Sequence, residues 1–436
     1  MITFDWIIQN FINFASFKRF GCYTLMKVAI IGAGAAGCFC AVNLKRSFPD
    51  AVIEVFEGGN RALAKVAITG GGRCNLTNSF EGIKDLKEAY PRGDKLMKRM
   101  FCVFGHNDTR SWFEREGVRL VTQDDHCVFP ASQDAMQIVQ TLLHRMSQSG
   151  VELNLKHKCT NISPISEGYE ISFLVNGEKE IQRQFDKVIV TTGGSPKRKG
   201  LAFLEGLDLE IVEPAPSLFT FNIKDAITSL MGAVVENVSV KLAGTKHKAS
   251  GPLLITHWGM SGPAILKLSS YAARTLFEND YKATLLVNWL GEEHNEQTAM
   301  ALLNEIFEKN KQKQISSVHP DCLTSRIWQY IIDKCEIPFD KKVAEIGKKQ
   351  LNILVATLTS DTYKIEGQSR FKEEFVTCGG IALSNINMNT LETKKYPGRF
   401  FAGEVLDVDA ITGGFNLQAA WSMGFVISRQ CLQSHV

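Results

Sequence analysis

Three glycines near the amino terminus could bring the backbone close to a bound phosphate. Gly32, Gly34 and Gly37 follow the apolar run 28–31, which is typical of a strand buried on both faces. Because a helix is predicted from residue 35, Gly32 would turn the chain, Gly34 would admit a pyrophosphate, and Gly37 would let the helix pack. Glu57, 20 residues after Gly37, can accept hydrogen bonds from ribose hydroxyls. The spacing predicts a dinucleotide site; the structural alternative is a glycine-rich packing turn.

A second segment, near the carboxyl terminus, indicates which dinucleotide is bound. Residues 400–403 form an apolar strand that ends at Gly403, and Glu404 and Asp407 follow it. Residues 413–420 then form a glycine turn that opens a helix, whose N–H groups can face the pyrimidine edge of a flavin. Since FAD spans such a fold from end to end and NAD needs only its first half, the pair of segments favours FAD. A closely packed helix cap is the alternative for residues 413–420 alone.

Two shorter segments could complete the same site. Residues 65–78 contain three consecutive glycines followed by Arg73 and Asn75, and this predicted loop could cover the pyrophosphate or approach the flavin ring. A flexible surface loop is the alternative. Cys74 could be a redox thiol, but no partner cysteine is near in sequence, which favours a packed or merely flavin-adjacent thiol. Residues 188–194 predict a buried strand whose end, at Thr192 and Gly193, passes close to FAD.

The composition is ordinary for a globular chain. Its length of 436 residues suggests two or three domains. The residues are 44% hydrophobic and 22% charged, which is typical of a globular protein. The formal net charge of +3 gives no reason to expect nucleic acid or stable membrane association. The eleven cysteines form no CxxC pair, zinc-ligand pattern or disulfide framework, so we expect reduced thiols, no metal and a cytoplasmic location.

The order of predicted elements indicates an α/β fold in which a Rossmann-like FAD-binding domain is interrupted by a β-barrel-like domain that carries a helical insertion. Residues 1–25 would be an extension upstream of a natural start at Met26, or else an amphipathic surface helix. The predicted boundaries are 26–212 and 391–436 for the FAD-binding domain, 213–291 and 359–390 for the barrel-like domain, and 292–358 for the helical insertion.

These segments together resemble a bacterial flavoprotein family of aminoacetone oxidase-like and 3-dehydro-bile-acid reductase-like enzymes. The resemblance runs through almost the whole chain from Lys27, in segments such as VAIIGAGAAG, ITGGGRCNLTN and FFAGEVLDVDAITGGFNLQAAWSMG. The matching ranges are 28–37, 68–78, 128–139, 191–196, 255–269, 377–387 and 400–424. The resemblance implies the same interrupted FAD domain.

The resemblance also implies which residues contact FAD. These are Gly32, Ala36, Glu57, Lys65, Gly72, Arg73, Cys74, Asn75, Gly193, Gly403, Glu404, Asp407, Gly414, Phe415, Asn416 and Leu417, with the backbone of Cys159 at the adenine. The sequence departs from the family pattern at Thr191, where alanine is usual, and at Gly58 and Gly59, which replace a charged residue after Glu57. None of these departures threatens FAD binding.

No catalytic acid or base is identified by the sequence. His257 lies in the distinctive segment 255–264, which could border the substrate cavity but is better interpreted as a junction where Gly262 and Pro263 turn the chain into a helix from residue 264. The helical insertion carries lysine runs at 309–313 and 341–349, which usually form a solvated face and could alternatively be a partner or nucleic-acid surface.

Three functions remain open from the sequence. The first is reduction of the double bond of an unsaturated small molecule, with NAD(P)H docking transiently because a second GxGxxG motif is absent. The second is oxidation of an amine by oxygen, and the third is a non-enzymatic FAD-containing redox sensor or scaffold. In the first two, hydride passes through flavin N5 and the flavin does the chemistry.

Overall fold

The structure is a computed structural model that describes residues 25–195, 197–368 and 376–432. All but Leu25 of the predicted amino-terminal extension lies outside these residues.

The strands in these ranges run in chain order as follows: β1 Lys27–Ile31, β2 Val52–Phe56, β3 Thr77–Asn78, β4 Leu120–Thr122, β5 Cys127–Pro130, β6 Glu152–Asn154, β7 His157–Pro164, β8 Tyr169–Val175, β9 Lys179–Phe185, β10 Lys187–Val190, β11 Ile211–Ser217, β12 Phe221–Asn222, β13 Val234–Leu242, β14 Lys248–Thr256, β15 Gly259–Ser261, β16 Ala283–Asn288, β17 Asp361–Ile365, β18 Gly367–Gln368, β19 Val376–Ile381 and β20 Arg399–Phe401.

The α-helices are α1 Ala35–Ser47, α2 Ala64–Gly72, α3 Leu86–Ala89, α4 Asp94–Phe101, α5 His106–Arg115, α6 Ala135–Gln148, α7 Pro263–Tyr271, α8 Ala273–Glu278, α9 Glu296–Lys309, α10 Ser325–Lys334, α11 Lys348–Ser360 and α12 Phe415–Gln430. None of them, within the ranges given above, is long and apolar enough to cross a membrane.

A five-stranded parallel sheet in the order β20-β10-β1-β2-β6 forms the centre of the first unit. Its central strands are almost wholly apolar and buried, as expected where helices cover both faces. Helix α12 packs on α1, and the contact is close because a Cβ at Gly424 would lie 2.8 Å from the carbonyl oxygen of Ala36. This arrangement confirms the predicted α/β Rossmann-like class.

A seven-stranded antiparallel sheet in the order β17-β16-β13-β14-β15-β12-β18 forms the second unit. Its two edge strands, β17 and β18, are separated by a single residue of the chain. The sheet therefore curls until its edges meet, which gives the barrel-like shape that the sequence predicts. Strands β11 and β19 pair with each other and connect this unit to the parallel sheet.

The buried apolar side chains form two cores. One core holds the parallel sheet with α1 and α12, and the other holds the curled sheet together with helices α9, α10 and α11. The helical insertion thus shares its core with the barrel and has none of its own. The chain passes between cores after Leu207 and again before Ile381, and the exact domain boundaries given above remain predictions.

Two small antiparallel sheets complete the fold, β3-β5-β4 and β7-β8-β9. The second contains the predicted hairpin of residues 170–185. The sequence predicts a loop over residues 65–78, and this prediction is wrong for the first part of the segment. Residues 64–68 are helical, because Val66 is apolar and packs inward, and the helical backbone ends only at Thr69, before Gly70 and Gly71.

Candidate FAD site

The turn between β1 and α1 is held by backbone packed against backbone. Gly32 has a φ of 109°, and a Cβ there would lie 2.5 Å from the carbonyl oxygen of Thr191. A Cβ at Gly37 would lie 2.0 Å from the carbonyl oxygen of Gly32. The hydroxyl of Thr191 donates to the carbonyl oxygens of Gly32, at 2.8 Å, and Ile31, at 3.1 Å. Thr191 therefore stabilises the turn in place of the usual alanine.

Helix α1 starts with its first N–H groups available to a ligand. Its N-cap is Gly34, and no side chain caps it. The four initial N–H groups of a helix have no partner within it, so they form an anion site unless another group covers them. A Cβ at Gly34 would meet only the Thr191 carbonyl oxygen, at 4.0 Å, so this side of the turn is open.

Glu57 lies directly after β2 and its carboxylate faces the same turn. One oxygen accepts from the N–H of Ala33 at 3.0 Å and the other from the N–H of Gly59 at 2.8 Å. Each oxygen keeps lone pairs for a ribose hydroxyl. The N–H of His157 donates to the backbone carbonyl oxygen of Glu57 at 2.8 Å, which places the start of β7, the strand that contains Cys159, beside the end of β2.

The start of α12 is the second uncapped helix start at this edge. Its N-cap, Gly414, has a φ of 87° and no side-chain cap. A Cβ at Gly414 would lie 2.4 Å from the carbonyl oxygen of Thr77, so the helix start presses against β3. The amide of Asn75 bridges the two elements. In the orientation that satisfies both contacts, it donates to Thr77 at 3.1 Å and accepts from the N–H of Gly414 at 3.3 Å.

Side chains from distant segments fix the position of this helix start. Asn416 donates to the carbonyl oxygen of Ala410 at 3.0 Å and accepts from its N–H at 2.9 Å. The hydroxyl of Tyr90 donates to the carbonyl oxygen of Phe415 at 2.8 Å. The hydroxyl of Thr77 donates to the amide oxygen of Gln418 at 2.6 Å, and both residues are fully buried. The N–H groups of Phe415, Asn416 and Leu417 are thereby held in one direction.

Loops after β10 and β20 connect the two helix starts. A Cβ at Gly403 would lie 3.4 Å from the Cβ of Ala36, so the chain after β20 runs past the start of α1. Glu404 accepts from the N–H of Thr377 at 2.6 Å and lies 3.6 Å from Nζ of Lys65. The predicted residues on β1, β2, β10, β20 and α12 therefore meet at the carboxyl edge of one parallel sheet, where ligands of such folds bind.

Two glycines at this edge face open space. Cβ atoms at Gly72 and Gly193 would meet no protein atom within 4 Å, although both residues have a positive φ. Thr192 precedes Gly193 and is exposed. With two uncapped helix starts and the Glu57 carboxylate, the donors and acceptors match a pyrophosphate, a ribose and a flavin pyrimidine edge.

Arg73 and Cys74 lie at the end of α2 in different environments. The guanidinium of Arg73 is exposed, 4.4 Å from the ring centre of Phe129 and 3.4 Å from the amide oxygen of Gln133. Cys74 is fully buried, and burial raises the pKa of its thiol to about 12. A thiol that stays protonated at neutral pH is a poor nucleophile, which favours the packed-thiol interpretation.

Asp407 lies beside a charged cluster that the sequence did not reveal. One of its carboxylate oxygens is enclosed without a hydrogen-bond partner, and burial raises its pKa against the opposing effect of Arg274 and Arg92. Nε and Nη2 of Arg92 each donate to one carboxylate oxygen of Asp409. Nη1 of Arg92 donates to the carbonyl oxygen of Ser270 at 2.8 Å. Burial also raises the pKa of Asp409. This cluster joins the cofactor edge to α7 of the barrel. Arg92 and Asp409, its central pair, are more than 300 positions apart in sequence.

The segment 255–264 is a junction, as the sequence analysis favoured. Gly262 is the N-cap of α7, and Pro263 is its first residue, one position earlier than predicted. His257 is exposed, with its ring centre 3.9 Å from that of Trp258. This position does not support a catalytic role for His257.

Comparison with known proteins identifies a family for this chain. Residues 26–430 match the family described as HI0933-like protein Rossmann domain. Ribosomal RNA dihydrouridine synthase of Haemophilus influenzae is 27% identical over 414 residues, which cover 92% of this chain and 98% of that protein. The protein of the same name from Escherichia coli is 26% identical over 426 residues, 92% of this chain and 97% of that one.

A third relative has a different name. The 3-dehydro-bile acid delta(4,6)-reductase of Clostridium scindens is 24% identical over 415 residues, which cover 92% of this chain and 98% of that protein. This relative confirms the resemblance drawn from the sequence motifs. With a match over residues 26–430 and an FAD-type edge at the parallel sheet, the chain belongs to the HI0933-like Rossmann domain family of FAD-dependent oxidoreductases.

Proposed function

We propose that this protein is an FAD-dependent reductase that saturates a carbon–carbon double bond conjugated to a carbonyl group, with NAD(P)H as the hydride donor. The observation that carries the proposal is the start of α12, whose free N–H groups are locked by Asn416, Tyr90 and Thr77. Such a helix start stabilises the negative charge that a flavin gains on reduction. FAD, when bound, supplies the hydride-transfer chemistry.

The rest of the cofactor edge would bind and orient. The start of α1 would hold the pyrophosphate, Glu57 the ribose, and the backbone at Cys159 the adenine. The remainder of FAD would be surrounded by Lys65, Gly72, Arg73, Asn75, Thr192, Gly193, Gly403, Glu404 and Asp407. Cys74, which is fully buried, would pack behind them. The nicotinamide donor would dock transiently, because the chain has no second GxGxxG segment.

For the substrate, we infer a uracil ring in RNA. Two relatives covering 92% of this chain carry the name ribosomal RNA dihydrouridine synthase. Their product differs from uridine by saturation of a ring double bond conjugated to a carbonyl. The expectation that nucleic acid is no partner rested on a net charge of +3 alone, and a local basic surface can bind RNA at such a net charge.

A small unsaturated ketone is the second candidate. It falls within the unsaturated small molecules named first in the sequence analysis, and the delta(4,6)-reductase relative supports it. Both candidates present the same kind of bond to the cofactor, so the reaction class does not depend on which of them is correct.

The test is flavin reduction under anaerobic conditions followed by reoxidation. We expect NADH or NADPH to bleach the flavin absorbance, and uridine-containing ribosomal RNA to restore it with a mass gain of two hydrogens on uridine. Reoxidation by polycyclic enones and not by RNA would select the small-molecule substrate. Peroxide release with amines would replace the proposal by an amine oxidase, and no turnover with any of them would favour a sensor or scaffold.

A further inference from the structure

The helical insertion brings two lysine runs together that are separate in sequence. Residues 309–315 begin with the last residue of α9 and continue beyond it, and residues 341–349 precede and begin α11. Together they hold seven lysines and one acidic residue, Glu345. We call this set the basic patch; it consists of Lys309, Lys311, Lys313, Lys341, Lys342, Lys348 and Lys349.

Backbone hydrogen bonds hold the two runs side by side. Gln314 and Lys342 form an antiparallel bridge. The N–H of Val343 donates to the carbonyl oxygen of Lys313 at 3.0 Å, and that of Ala344 donates to Lys311 at 3.1 Å. Val343 and Ile315 are buried beneath these two segments, which anchors the patch to the core of the barrel unit. The lysines therefore project from a fixed backbone.

Four lysines of the basic patch are exposed and have no side-chain partner among the described residues. Lys309 and Lys311 pair with Glu305 and Glu308, at 2.6 and 2.8 Å, and Lys341 donates to Gln350 at 2.8 Å. The remaining four are exposed, and within the described part of the chain no carboxylate lies at ion-pair distance from them: Lys313, Lys342, Lys348 and Lys349.

An adjacent aromatic ring indicates the kind of polyanion. Phe339, two residues before Lys341, is 47% exposed. Rings beside lysines bind single-stranded nucleic acid, because bases stack on the ring and phosphates meet the charges. An anionic membrane would require a broader apolar face, whereas Phe339 and Ile353 are the large apolar side chains that the insertion exposes within the described residues. The neighbouring cavity of about 600 Å³ is lined by Glu305 and Asp321 as well as Lys309, so phosphate would be repelled there.

We propose that the basic patch binds the sugar–phosphate backbone of single-stranded RNA, with Phe339 as a stacking platform for a base. This proposal rests on the RNA substrate proposed above and adds the surface that holds the RNA. The four unpaired lysines supply the charge, and the barrel core fixes their arrangement.

The experiment measures binding of the FAD-loaded protein to a fluorescein-labelled oligouridylate of about 16 nucleotides by fluorescence anisotropy over a range of salt concentrations. The test variant replaces Lys313, Lys342, Lys348 and Lys349 by Gln. The matched control replaces four exposed lysines of the FAD-binding unit that also have no carboxylate at ion-pair distance within the described residues: Lys84, Lys87, Lys95 and Lys98. Flavin absorbance and thermal unfolding verify that both variants fold.

We expect the patch variant to lose affinity by at least about tenfold and its log–log salt slope to fall by about 3, since each phosphate contact on a single strand contributes about 0.7. The control should keep the parental affinity and slope. Phe339→Ala should weaken binding about tenfold with an unchanged slope, because stacking releases no counterions.

Other outcomes overturn the proposal. It fails if the wild-type protein does not bind the RNA, if the patch variant binds as tightly as the control, or if the patch variant loses binding to phosphatidylserine vesicles and keeps RNA. Binding through the patch without uridine reduction would reject the proposed function alone. Reduction of RNA with unchanged binding and KM in the patch variant would reject the patch alone.

Discussion

The two helix starts at the cofactor edge are held in different ways. At α1, the contacts are local and made by backbone: Gly32 and Gly37 touch each other and Thr191 closely enough to exclude any side chain. At α12, the contacts are made by side chains from segments far away in sequence, such as Tyr90 on Phe415 and Thr77 on Gln418. At α1, no larger residue can replace these glycines without displacing the backbone. At α12, a single substitution removes only part of the hydrogen bonds that fix the helix start.

The largest effect is expected from Gly37→Ala at α1. The new Cβ would lie 2.0 Å from the carbonyl oxygen of Gly32 and 2.5 Å from the hydroxyl oxygen of Thr191. Overpacking of this kind costs about 1–3 kcal/mol or more, and here one neighbour belongs to the turn and the other, Thr191, holds it by hydrogen bonds. We expect a lower unfolding midpoint in urea for the FAD-free protein and no flavin absorbance after purification.

Gly34→Ala is the matched control, because it adds the same methyl group on the open side of the turn. The new Cβ would meet only the Thr191 carbonyl oxygen, at 4.0 Å. The FAD-free protein should unfold within about 0.5 kcal/mol of the parent, since nothing in the fold is displaced. FAD affinity should nevertheless fall by about tenfold or more, because Gly34 borders the pyrophosphate in the proposed site. Equal stability losses in both variants would contradict the difference drawn here.

An intermediate effect is expected from Asn416→Ala at α12. The change removes two hydrogen bonds and leaves the N–H and carbonyl of Ala410, a fully buried residue, without partners. Unsatisfied buried groups cost about 1–3 kcal/mol. We also expect a more negative flavin reduction potential, because the α12 N–H groups lose their fixed direction.

The control for this variant is Asn389→Ala. Asn389 accepts a hydrogen bond from Arg99 at 2.8 Å, but both side chains are exposed. Its removal should change stability by no more than about 0.5 kcal/mol and leave the potential unchanged. If Asn416→Ala shifts stability but not the potential, α12 has only a structural role.

The sequence predicts the local contacts at α1 better than the long-range contacts at α12. The α1 turn, Glu57 and the interrupted α/β order follow from glycine spacing and strand patterns, which are local properties of the chain. The network of Tyr90, Thr77 and Gln418 carries no such local signal, because each residue is an ordinary core or helix residue until residues more than 300 positions apart are brought together. The same holds for Arg92 and Asp409.

Local patterns also misled in one place. The three glycines at 70–72 suggested a loop throughout 65–78, yet the apolar Val66 faces the core and extends the helix to Thr69. Conversely, the lysine runs at 309–313 and 341–349 looked like two separate solvated faces. Only the bridge between Gln314 and Lys342 makes them one surface.

The smallest effect on the stability of the FAD-free protein is expected from Glu57→Ala, which sharpens the comparison because it removes a side-chain contact at α1 and leaves the glycines of the turn unchanged. The variant loses the acceptors for Ala33 and Gly59 and, by our proposal, for the ribose. Hydrogen bonds to a charged group contribute about 1.5–3 kcal/mol, so FAD affinity should fall by at least about tenfold. The FAD-free protein should be destabilised less than in Asn416→Ala, because a single buried N–H, that of Ala33, loses its acceptor. Asp50→Ala, at the exposed residue before β2, removes the same charge from the opposite end of that strand and should leave FAD titrations unchanged. Parental affinity in Glu57→Ala would mean that the ribose is held elsewhere and that only the helix start at α1 recognises this half of the cofactor.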